Sequence, residues 1–113
     1  MNIEHAYTRK ILDAFAQISQ IPRPSKKEQK IVAWMVNWAA ENGFEARCDD
    51  EQNVLIQVPA TAGYEDAQTL VLQGHLDMVC EKSKGHEHDF DKDPIEFVYT
   101  DDGWLTANQT TLG

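Results

Sequence analysis

Apolar residues recur at helical spacing near the start of the chain. Tyr7, Ile11, Phe15 and Ile18, with Ala14 beside them, fall on one side, while Glu4, Arg9, Lys10 and Asp13 fall elsewhere. This period predicts an amphipathic helix over residues 5–19 whose apolar stripe faces a core. Ile21-Pro22-Arg23-Pro24 ends it, because proline lacks the backbone donor that a helix needs. Ser25 and Glu28 then have the S-x-x-E spacing of a capping box, in which each side chain satisfies a free donor at the start of a second helix. Ile31, Met35 and Trp38 mark the buried stripe of that helix, and Trp34, four residues before Trp38, reads as packing rather than as a stacking platform. Asn42-Gly43 supplies the left-handed stop.

Beyond Gly43 the period becomes extended. Residues 44–48 and 54–58 predict a hairpin or two adjacent strands around the acidic turn Asp49-Asp50-Glu51-Gln52-Asn53, with Pro59 closing the second. Residues 60–66 are small and polar, as in a surface loop. Leu70, Val71 and Leu72 form a short continuous apolar run, the pattern of a strand covered on both faces in an α/β sheet. Residues 80–94 are crowded with charge and predict a long surface excursion. Residues 95–99 and 104–107 flank Thr100-Asp101-Asp102-Gly103, whose Asp-Gly step signals a hairpin. The sum is an α/β chain, two amino-terminal helices packed on a mixed sheet of about five strands.

The 113 residues suffice for one domain and leave little room for two. With 42% hydrophobic and 26% charged residues the composition is that of a soluble globular protein. A formal charge of -9 repels phosphate backbones and anionic lipid, which argues against nucleic acid and membrane partners and suits cation binding. Cys48 and Cys80 form no C-x-x-C pattern, so neither a disulfide framework nor a zinc-thiolate site is indicated, and a reducing compartment fits. Residues 1–5 lack the basic flank and apolar stretch of a signal peptide, and the longest apolar run, residues 31–36, cannot span a bilayer. A cytoplasmic protein is expected.

The segment that carries chemistry is Leu72-Gln73-Gly74-His75-Leu76-Asp77. Ligand sites in α/β sheets gather beyond the carboxyl ends of strands, which is where His75 falls. In extended backbone His75 and Asp77 project to one side and Leu76 to the other. A metal-bound imidazole must be neutral and correctly turned, and a carboxylate that accepts a hydrogen bond from its second nitrogen enforces both. H-x-D by itself is short and frequent, and one histidine cannot hold a catalytic zinc. His86-Glu87-His88-Asp89 offers another histidine pair, but in so polar a loop a solvated run is the stronger reading. No orienting third group or oxyanion arrangement is legible around Cys80, which reads as buried or idle.

Taken in order along the chain, Ile21-Pro22-Arg23-Pro24-Ser25, Val71-Leu72-Gln73-Gly74-His75-Leu76-Asp77-Met78-Val79, the H-D-F-x-K-D-P-I of residues 88–95 and the W-L-x-A-x-x-T-T-L-G of residues 104–113 resemble the aminoacyl-histidine dipeptidases. That group sits within the co-catalytic zinc peptidases, with the aminoacylases and glutamate carboxypeptidases. The resemblance implies that His75 is a ligand of one of two zinc ions and Asp77 the active-site acid clamping it. It further implies an Xaa-His dipeptide as substrate, a three-layer αβα catalytic domain and a homodimer formed through a separate lid domain.

In the family, the pattern continues past T-T-L-G with A-D-N-G, whose aspartate bridges both metals, and later a Glu-Glu pair. Residues 1–113 therefore correspond to the amino-terminal part of the catalytic domain, and by themselves they are expected to bind zinc weakly and hydrolyse nothing. The alternative is a naturally short, non-catalytic interaction module retaining this layer. Gln109 departs from the pattern, since the dipeptidases usually place glycine or another residue fitted to a tight turn before T-T-L-G.

Overall fold

The computed structural model describes residues 5–113. Glu4, assigned to the polar side of the first helix, and the leader reading of residues 1–4 lie outside them. Two helices, α1 (Ala6–Ser19) and α2 (Gln29–Glu41), are followed by four strands, β1 (Glu45–Cys48), β2 (Val54–Gln57), β3 (Phe97–Tyr99) and β4 (Leu105–Ala107). The expected α/β composition is present, but the single mixed sheet of about five strands is not. Instead β1–β2 and β3–β4 are separate antiparallel pairs. The chain divides into two units, Met1–Ile31 with Asp77–Gly113, and Val32–Leu76, the boundary falling within α2.

In the first unit α1 occupies almost the expected span, and its expected stripe is inward only in the second half. Ala14, Phe15 and Ile18 are half-buried, together with Leu12 and Ala16, and Ser19 is buried, while Tyr7 and Ile11 are exposed. Phe15 stacks on Phe97 of β3, and the Ser19 carbonyl accepts a 2.9 Å hydrogen bond from the buried Ile95 amide. These contacts choose the face. The β3–β4 hairpin pairs Phe97 with Ala107 and Tyr99 with Leu105. Its turn is closed by Gly103 in the left-handed region (φ 89°) and by Thr100 Oγ1, which accepts from the Trp104 amide at 3.0 Å.

The capping box is not formed. Glu28 Oε1 accepts from the Lys26 amide at 2.6 Å instead of from that of Ser25. Residues 24–27 make a tight turn, with Lys27 N–H donating to the Pro24 carbonyl at 3.0 Å and Lys26 left-handed at φ 70°. The helix starts only at Gln29. Ser25 is drawn into a tertiary bond that local spacing cannot reveal.

In the second unit α2 ends as its Asn-Gly step predicts. Gly43 adopts φ 76°, its amide donates to the Ala40 carbonyl at 3.0 Å, and the Phe44 amide donates to that of Ala39 at 2.8 Å. This is a Schellman closure, and the Trp38 and Phe44 rings meet beside it at 6.1 Å. Val32 and Ala39 are the innermost α2 residues of this unit, and Trp34 and Trp38 stack along the helix at 6.5 Å. The β1–β2 hairpin has Glu45 opposite Gln57 and Cys48 opposite Val54.

Leu70, Val71 and Leu72 correct the expected covered strand. They adopt no regular structure and are 80%, 75% and 88% exposed. A strand exists only through hydrogen bonds to neighbours, and among the described residues none pairs with this run.

Candidate functional site

The histidine and the acid of the H-x-D pattern fall on either side of the unit boundary. His75 lies in an irregular, exposed stretch at the end of the second unit, and Asp77 opens the return of the chain into the first. Exposure falls steadily from His75 through the half-buried Leu76 and Asp77 to Met78, which is 3% exposed. Regular backbone pairing begins at Met78, in a parallel bridge with Pro24, and the Met78 amide donates to the Arg23 carbonyl at 3.0 Å. A strand tip therefore does not position His75, whereas Asp77 sits next to a backbone anchor.

That anchor is built from the proline-rich segment after α1. Pro22 and Pro24 lack the N–H a helix needs, and a residue that precedes proline favours extended backbone, so the intervening Arg23 offers its carbonyl to Met78 while its side chain runs inward. Arg23 is only 6% exposed, and its Nη1 reaches the Ile18 carbonyl at 3.4 Å. Burial lowers the pKa of this guanidinium, while nearby Cys80 and Asp77 act to raise it. One residue further on, the Ser25 hydroxyl donates to Asp77 Oδ2. Sequence reasoning treated Ser25 as a helix cap and passed over Arg23. An arginine between two prolines, followed by a serine, was the available signal.

The carboxyl-terminal T-T-L-G motif reaches the same region. Lys82 and Thr110 form an antiparallel bridge, Thr111 Oγ1 donates to the Val79 carbonyl at 2.6 Å, and the Thr111 amide donates to that of Glu81 at 2.9 Å. At Gly113 a methyl group would stand 2.8 Å from Arg23 Nη2, so the guanidinium packs directly on glycine backbone. Three segments far apart in sequence, 22–25, 77–80 and 109–113, thus converge within one unit.

Desolvation raises the Cys80 thiol above its ordinary range, with Arg23 pulling the other way. Its Sγ lies 3.6 Å from the Met78 carbonyl as a donor. A protonated thiol is a poor nucleophile, in keeping with an idle cysteine. The rings of His86 and His88 stack at 6.2 Å, and His88 meets the edge of Phe90 at 4.4 Å. Asp89 is taken up by Lys92 at 3.0 Å and by the Asp91 amide at 3.0 Å, bonds that hold its carboxyl below the usual range. The excursion over residues 80–94 is pinned through Asp91, whose carboxylate accepts from Lys27 Nζ at 2.7 and 2.8 Å.

No family model matches the chain. It is 48% identical over 101 residues to the cytosol non-specific dipeptidase of Escherichia coli strain K12, an alignment that covers 89% of this chain and 21% of that protein. The chain is similar to this dipeptidase over nearly its whole length. The crystal structure of the aminoacylhistidine dipeptidase from Vibrio alginolyticus matches it with a TM-score of 0.84 at 46% identity, over 89% of this chain and 20% of that one.

The chain thus spans about a fifth of the length of these dipeptidases. Among the described residues, no group of three or more His, Cys, Asp and Glu converges in a way that could hold a metal. A catalytic zinc ordinarily takes about three protein ligands, and the described residues do not bring that many donors together. No described helix is long and apolar enough to cross a membrane.

Proposed function

We propose that this chain is the part of a zinc dipeptidase that contributes one metal-binding imidazole, His75, and the acid that orients it, Asp77. The complete catalytic domain is a three-layer αβα sandwich in which Leu70, Val71 and Leu72 gain strand partners from the remaining polypeptide. The whole protein hydrolyses dipeptides with carboxyl-terminal histidine, works as a homodimer and resides in the cytoplasm. The observation that carries this reading is the 48% identity to a dipeptidase across nearly the full chain. The ordered motifs around His75 and Asp77 support it.

Residues 1–113 alone do not hydrolyse dipeptides, since a single imidazole gives too few ligands for tight metal binding. The test compares this chain with a polypeptide extended to the length of its relatives, assayed on an Xaa-His dipeptide with zinc added. The extended protein is expected to turn over substrate, to lose activity on chelation and to lose it in His75→Ala. Chelator-sensitive turnover by the 113 residues alone, or full activity of the extended His75→Ala variant, would sink the reading.

A further inference from the structure

The bond between Ser25 and Asp77 joins residues 52 positions apart, and the backbone on both sides is built to bring them together. Pro24 pairs with Met78, so each partner is one residue from the same parallel bridge. The 24–27 turn, with its left-handed Lys26, directs the chain away immediately after Ser25. Arg23, buried below, places positive charge within reach of the Asp77 carboxylate. A carboxylate on a short side chain otherwise rotates about two torsions, and acids that orient a metal-binding histidine are themselves commonly held by hydrogen bonds.

We propose that Ser25 is a positioning residue for Asp77. Its hydroxyl occupies Oδ2 and holds the carboxylate in one rotamer, directing the other oxygen to the task of orienting an imidazole. This rests on the reading of Asp77 as the acid that orients His75, and it adds a role for the serine of the proline-rich motif.

The experiment is NMR on the 113-residue chain and three variants, Ser25→Ala, Ser25→Cys and Ser25→Thr, at a pH where the imidazole is neutral. Scalar couplings report the Asp77 χ1 rotamer, ring nitrogen shifts report the His75 tautomer, and exchange protection of the Met78 amide reports the bridge. The unsubstituted chain is expected to show one rotamer and one tautomer. Ser25→Ala, and Ser25→Cys with its weak donor, lose both while Met78 stays protected. Ser25→Thr restores both.

A single Asp77 rotamer persisting in Ser25→Ala and Ser25→Cys would overturn the proposal, as would averaging that Ser25→Thr does not reverse. Averaging of Asp77 without any change at His75 would uphold the hold on the carboxylate. It would overturn instead the reading that Asp77 orients His75.

Discussion

Phe15 of α1 and Phe97 of β3 stack with ring centroids 5.3 Å apart and planes inclined by 28°. Together with the Ser19–Ile95 hydrogen bond, this pair ties the first helix to the last hairpin. Both rings are half-buried. Phe97→Ala is therefore expected to cost about 2 kcal/mol, less than the roughly 3–5 kcal/mol typical of a fully buried phenylalanine. Urea unfolding measures it, and a midpoint equal to that of the unsubstituted chain would show that the stack contributes nothing.

Gln109 holds φ 58° while its carbonyl accepts the Ser83 amide at 2.8 Å. The departure from the dipeptidase pattern noted at this position thus falls on left-handed backbone, which costs a side-chain-bearing residue roughly 1–2 kcal/mol. Glycine escapes that cost but loses more entropy on folding. Gln109→Gly should stabilise the chain by about 0.5–1 kcal/mol on this balance. A lower thermal midpoint in the glycine variant would contradict the argument.

Asp49 organises the β1–β2 turn. Its Oδ1 accepts from the Glu51 amide at 3.0 Å and the Asn53 amide at 2.8 Å, and its Oδ2 from Asn53 Nδ2 at 2.9 Å. These bonds, led by that of the Asn53 side chain, hold its carboxyl below the usual range. A carboxyl depressed in the folded state lends stability above its unfolded value of about 3.9, and that stability is lost as pH falls through the lower folded value. The Asp49 carbon resonance should titrate below the free-aspartate midpoint, with Asn53 amide exchange rising in the same acid window. A midpoint at or above the free value would remove the proposed role of these bonds.

Val71 tests how the apolar run behaves in this chain. At 75% exposure, Val71→Lys should change unfolding free energy by no more than about 0.5 kcal/mol. The same substitution should reduce self-association in sedimentation experiments, because exposed apolar runs invite intermolecular pairing. A stability loss above about 2 kcal/mol, the scale of a buried aliphatic side chain, would mean that the run is covered.

By itself the sequence determined what depends on neighbours along the chain. The first helix lies close to its expected span, the Asn42-Gly43 stop forms a Schellman closure, and the Asp-Gly hairpin forms around Gly103. Each is set by periodicity, turn geometry or a missing donor, and those act within a few residues. The similarity to dipeptidases was likewise legible, since ordered motifs survive as text.

Tertiary structure decided what depends on distant partners. Phe97 and Ile95 determine which face of α1 is buried, and Asp77 takes Ser25 away from its expected helix cap. Leu70, Val71 and Leu72 carry the composition of a covered strand but stand exposed. Composition states a preference for burial, whereas pairing requires another backbone within hydrogen-bonding distance.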